Sequence, residues 1–274
     1  GASAHKLAGS AYTLEQIITA GIENCKRACA PYGALTALDV GPLGELLEPS
    51  GTLAFEDAVA EYARIVKAGE AAGADLIFFE TYTDLYELKA ALLAAKENTR
   101  LPILASMSFE AGGRTFTGCT VESFAATARG LGADAVGINC SLGPKEIFPM
   151  AKRLAEAVPG NFPVFVKPNA GLPRADGSGY DITPQLYAMQ MKPYRELHLF
   201  AAGGCCGTTP EFIQLLNGTF AGCTPGRPAH RMPSVLCTPV DTVTVDGITV
   251  VGERINPTGK KRFQQALREG DMNY

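Results

Sequence analysis

The strongest constraint on the fold is an alternation of two periods. The runs "ALTALDV", "ADLIFFE", "PILASMSF", "DAVGINC", "PVFVKP" and "ELHLFAAGG" are short and apolar on both faces. Between them stand longer segments whose apolar residues recur at helical spacing, such as "AFEDAVAEYARIVKAGEAAG" and "DLYELKAALLAAKEN". A strand that is apolar on both faces belongs in a parallel sheet covered by helices. The order gives six strand-helix units after an opening helix that starts at Leu14, with Thr13 as its cap. Gly-Ala-Asp precedes two of the strands and reads as the tight turn from a helix into the next strand.

Two architectures take such units, an open doubly wound sheet and a (β/α)8 TIM-type barrel. No glycine-rich dinucleotide loop follows an early strand. Polar and reactive residues instead fall at strand C-termini: Asp39, Glu80, Ser108, Cys140, Lys167 and Cys205. In a barrel those ends converge on one face, where the chemistry sits. The expected fold class is therefore α/β, a (β/α)8 barrel that is incomplete, with its first two βα units missing before Gly1. An open seam with unpaired edges predicts low stability and weak activity for the chain alone.

After Gly218 the composition changes. Residues 219–250 read as a linker rich in Pro and Gly, followed by a hairpin with Asp246-Gly247 as a type I′ turn. Residues 251–274 begin a further segment. The chain opens at Gly1 rather than Met, which reads as a processed or trimmed product. A net charge of −4 argues against a nucleic-acid partner. No uncharged apolar run reaches the ~18 residues that span a bilayer, so no membrane partner is expected. Eight cysteines in 274 residues are too sparse for a disulfide scaffold and point to a cytoplasmic setting.

Cys140 ends one strand, and the adjacent Cys205 and Cys206 end another two units later. Their spacing alone fits packed thiols, a vicinal disulfide, or three ligands for a soft tetrahedral metal such as zinc. Gly203, Gly204 and Gly207 would let the backbone bend around an ion. Cys25 and Cys29 share a helix face and read as core packing. Cys119, Cys223 and Cys237 fit no motif, and His5, His198 and His230 lack ligand spacing, with His198 packed in a strand. Strand alternation points Asn139 away from Cys140. Lys167 and Asn169 read as a structural turn.

The stretches "FFETYTDLYELKAAL", "DAVGINCSLGP", "VFVKPNAGLP" and "FAAGGCCGTTPEFI" resemble the homocysteine-binding barrel of zinc-dependent homocysteine methyltransferases, over residues 1–218. "VGERINPTGKKRF" looks like the start of the pterin-binding domain that follows this barrel in cobalamin-dependent methionine synthases. The resemblance implies zinc held by Cys140, Cys205 and Cys206, which act through the metal on the substrate sulfur. It implies Glu80 on the homocysteine ammonium, a minor substrate role for Asn139, and a pterin contact at Asn256. Cobalamin and methyltetrahydrofolate would be carried by partner modules of a longer enzyme of methionine biosynthesis. Betaine- or S-methylmethionine-dependent methylation without cobalamin, and a non-catalytic zinc or redox barrel, are the alternatives.

Overall fold

A computed structural model describes residues 2–228, 232–252 and 255–273. The opening helix α1 spans Leu14–Cys29. Thr13 caps it through a reciprocal pair: its hydroxyl accepts from the Gln16 amide, and the Gln16 side chain accepts from the Thr13 amide. Six strands follow: β1 (Ala37–Val40), β2 (Leu76–Tyr82), β3 (Ile103–Met107), β4 (Ala135–Asn139), β5 (Val164–Lys167) and β6 (Ala201–Ala202). The helices after them are α2 (Phe55–Ala71), α3 (Leu85–Asn98), α4 (Val121–Gly130), α5 (Pro144–Glu156), α6 (Pro184–Met191) and α7 (Pro210–Thr219). The strands form one parallel sheet in chain order, as the alternation of periods predicts.

One face of this sheet is dry. Ile77, Phe79, Ala105, Val136 and Val166 lie under the helices with no measurable exposure. Each Ile, Val or Phe side chain among them contributes about 1.5–3 kcal/mol of burial, and Ala105 less, which is what holds the helices on. Tyr62 of α2 packs edge-on against Phe79, with ring centroids 6.2 Å apart. Asp75 and Asp134, from the two Gly-Ala-Asp turns, accept hydrogen bonds from the Thr36 and Ile103 amides at 2.7 and 2.8 Å. Each turn therefore ties its strand to the neighbour.

The other face is concave and carries the chemistry. Phe78 of β2 meets Phe165 of β5 with centroids 5.2 Å apart. On a flat sheet, three strand spacings would hold these positions ~14 Å apart. The sheet curves as a barrel wall does. Among the described residues β1 and β6 are not paired with each other, and the sheet has six strands.

Two expectations need correction. "ELHLFAAGG" is not a strand throughout. Lys192–Leu197 is a 3-10 helix opened by Pro193, and His198 closes it in a left-handed conformation with φ 48°. His198 is thus exposed and outside the sheet, with Nδ1 3.2 Å from the Thr224 carbonyl. The ladder is joined only at Phe200, whose amide donates to the Val164 carbonyl.

The hairpin also differs from the expected one. Its strands are β7 (Ser234–Cys237) and β8 (Thr242–Val245), antiparallel. The turn is therefore Thr238–Asp241, not Asp246-Gly247. Pro239 sets the turn backbone, and the Thr238 hydroxyl accepts from the Val240 and Asp241 amides. Docking on α4 favours this register: the Thr120 amide donates to the Pro239 carbonyl at 3.1 Å, and Ser123 to the Asp241 carbonyl. Beyond the hairpin, α8 spans Lys261–Glu269. His230, and Glu253 and Arg254 of the tail motif, lie outside the described residues.

Candidate metal centre

Cys140, Cys205 and Cys206 come together at the C-terminal end of the sheet, with their sulfurs all within 4.8 Å of one another. Cys140 follows β4 and the doublet follows β6, so the parallel topology brings them to one end. The backbone fixes their directions. Cys140 and Ser141 both take left-handed conformations, with φ 64° and 62°. The Cys140 amide donates to the Lys167 carbonyl, and the Cys205 amide to the Pro168 carbonyl at 2.8 Å. The Cys206 amide donates to Asn169 Oδ1 at 3.0 Å. Asn169 is thus more than a turn residue, because it orients one of the thiols.

The doublet bends where glycine allows it. Gly207 has φ 79°, and a Cβ there would stand 2.3 Å from the Tyr180 ring. A Cβ on Gly204 would stand 2.5 Å from the Thr208 side chain. Neither position admits a side chain without displacing a neighbour.

The three thiols influence one another's protons. Cys205 donates to Cys140, which stabilises the Cys140 thiolate and lowers its pKa to about 7. The same bond, then burial, raises Cys205. Cys140 and Cys206 sulfurs are 3.7 Å apart. Two ligands about 2.3 Å from a tetrahedral zinc would lie ~3.8 Å apart. The donor set and spacing therefore fit a soft metal ion.

Strand alternation alone would point Cys140 away from Asn139, which faces the concave side level with Lys167. The left-handed turn at Cys140 breaks the alternation, and Asn139 Nδ2 comes 3.7 Å from Cys205 Sγ. The Asn139 side chain is fully buried. Its Oδ1 accepts from the Thr81 amide at 3.0 Å and from the Ser106 hydroxyl at 2.9 Å. Its Nδ2 also donates to the Thr81 hydroxyl at 2.8 Å. Thr81 is a β-branched residue at φ 68°, an unfavourable backbone that Asn139 clamps from both sides.

Glu80 lies on the concave face, next to Thr81 at a bulge in β2. It forms an ion pair with Lys167, whose ammonium stands 4.5 Å over the Phe78 ring. Asp39 faces the same group. Desolvation, and then the Glu80 carboxylate, raise its pKa, while Lys167 opposes the rise. Cys25 and Cys29 sit 3.8 Å apart on α1, away from this centre, and Cys119 is buried. Asn256 lies in the tail, where Oδ1 accepts from the Thr258 amide at 2.8 Å.

Fold and cluster together define a βα-repeat domain that gathers three thiols at the strand ends, able to hold a metal ion. A family model described as homocysteine S-methyltransferase matches residues 1–220. The chain is 33% identical over 211 residues to the methionine synthase of Mycobacterium leprae. It is 34% identical over 206 residues to that of Mycobacterium tuberculosis. Each match covers 71% of this chain but 17% of the relative, so the chain spans about a sixth of the length of these curated relatives. The metallated form of the homocysteine methyltransferase MmuM from Escherichia coli superposes with TM-score 0.66 at 22% identity, over 79% of this chain and 76% of that one. Its apo form gives 0.62 at 23%, over 80% and 76%. These likenesses support the α/β fold. The chain belongs to the homocysteine S-methyltransferase family.

Proposed function

We propose that this domain activates homocysteine as a methyl acceptor, with Cys140, Cys205 and Cys206 as three thiolate ligands of a zinc ion and the substrate sulfur as the fourth. The convergence of three sulfurs within 4.8 Å carries this reading. When bound, zinc supplies the Lewis acidity that deprotonates a coordinating thiol and holds it as a thiolate near neutral pH. The chain's own residues build the site around it. Asn139 donates to Cys205, and Asn169 fixes the Cys206 backbone. Such outer partners orient ligands and tune their basicity. Glu80 offers a carboxylate to the substrate ammonium from the concave face.

The methyl donor in this reading is methylcobalamin, recharged from methyltetrahydrofolate on other modules of a longer enzyme. The methionine synthase relatives favour it over a small donor. Residues 1–218 are then the homocysteine module, 219–250 a linker and hairpin, and 251–274 the start of a pterin-binding module with Asn256 facing its ligand.

The test is metal analysis joined to X-ray absorption. The purified chain should hold close to one zinc, with three sulfur neighbours that become four on adding homocysteine. Cys140→Ser, Cys205→Ser or Cys206→Ser should each lose most of the zinc. A zinc shell unmoved by homocysteine would falsify the substrate role, and full zinc retention in all three variants would refute the ligand set.

A further inference from the structure

The concave face carries a compact charged group that the metal centre does not use. Asp39 of β1, Glu80 of β2 and Lys167 of β5 interact with one another. The Glu80–Lys167 pair is mostly withdrawn from water, with side chains 18% and 25% exposed. Lys167 lies level with Asn139 in the sheet register, so the ion pair adjoins the residue that precedes Cys140. The pair also sits against an aromatic surface, the Phe78 ring.

An amino-acid thiol that reaches the three cysteines brings two further charges, an α-ammonium and an α-carboxylate. If the ammonium goes to Glu80, it displaces the Lys167 ammonium already there. A cation so far withdrawn from solvent cannot lose its partner cheaply, because an uncompensated buried charge is strongly unfavourable. Lysine has a flexible four-carbon stem and can turn to a new acceptor nearby. The group that arrives together with the displacing ammonium is a carboxylate.

Resting on the homocysteine reading above, we infer that Lys167 is the carboxylate-binding residue of this site. In the free protein it holds the place on Glu80 that the substrate ammonium takes. On binding, one ion pair becomes two: substrate ammonium with Glu80, and substrate carboxylate with Lys167. A thiol lacking the carboxylate strands Lys167. A thiol lacking the ammonium leaves the Glu80–Lys167 pair closed and adds an unmatched carboxylate. The site thereby selects the zwitterion, not merely the thiol.

Calorimetric titration of the zinc-loaded chain with three thiols tests this: homocysteine, the aminopropanethiol that lacks its carboxylate, and the mercaptobutanoate that lacks its ammonium. The wild type should bind homocysteine about 10- to 100-fold more tightly than the aminopropanethiol, the range of a hydrogen bond to a charged group. Lys167→Met should bring that ratio to within about threefold of unity, and Lys167→Arg should restore most of it. Lys167→Gln keeps a neutral donor toward Glu80 and should match the Met variant, so a folding defect in one does not decide the outcome. A lysine that only plugs Glu80 would give the opposite pattern: tighter binding of both ammonium-bearing thiols in Lys167→Met, with their ratio unchanged. That result overturns the assignment while leaving the homocysteine reading intact. Failure of the wild type to bind any of the three thiols overturns both.

Discussion

Replacing Asn139 with alanine removes a fully buried side chain that makes four polar contacts. The Thr81 amide and the Ser106 hydroxyl both lose their acceptor. A buried donor left without a partner costs about 1–3 kcal/mol. Ser106 recovers part of this from the Phe79 carbonyl at 3.4 Å. The expected loss of stability is therefore about 2–4 kcal/mol. Asn139→Asp separates the two jobs of this side chain. It keeps an acceptor for Thr81 and Ser106 but gives no donor to Cys205 and sets a carboxylate beside the thiols. A carboxylate at a position with no exposure carries its own desolvation cost, so this variant should be no more stable than the alanine one near neutral pH, while zinc affinity should drop about 10- to 100-fold. Urea unfolding measures the first effect, and competition with a chromophoric chelator measures the second. An alanine variant within about 1 kcal/mol of wild type would show that Thr81 and Ser106 do not depend on Asn139. An Asp variant with wild-type zinc affinity would show that the contact with Cys205 does not tune the site.

Glu87 is 4% exposed, and its Oε1 accepts from the Leu43 amide at 2.7 Å and the Tyr62 hydroxyl at 2.8 Å. Burial raises its pKa, with those two bonds opposing. The folded state thus holds this proton more tightly than the unfolded chain. Its contribution is complete below the unfolded value near ~4.3 and is lost as pH rises through the higher folded value. Glu87→Gln keeps the acceptor but cannot ionise, so its stability relative to wild type should climb as pH rises above the unfolded value in urea unfolding; a flat or falling difference would show that Glu87 does not hold its proton more tightly in the folded state. Gly207→Ala should cost about 1–3 kcal/mol at its left-handed φ and displace Tyr180. Its zinc-to-protein ratio after dialysis should fall below that of wild type, and an unchanged ratio with an unchanged melting point would remove the argument from backbone geometry.

The chemistry of the site depends on two kinds of proximity. The thiols meet because parallel strands all end on the same side, a consequence of topology. Glu80 and Lys167 meet because the sheet is curved, and curvature is a collective property of twist and packing across several strands. Both placements depend on register, because a one-residue slip turns every side chain of a strand to the other face.

The order of elements, the cap at Thr13 and the gathering of Cys140, Cys205 and Cys206 at one end of the sheet are legible in the chain alone. All of these rest on neighbouring residues or on the rule that parallel strands share a direction. Packing between distant segments set the rest. Docking on α4 moved the hairpin turn to Thr238–Asp241, overriding the turn signal of Asp246-Gly247. A left-handed residue at Cys140 broke the alternation that would have turned that thiol away from Asn139. Lys167 and Glu80 are 87 positions apart in the chain, and no local pattern relates them. Periodicity and turn chemistry are written in consecutive residues. Distances across a curved sheet are fixed only when every strand between the two ends has taken its register.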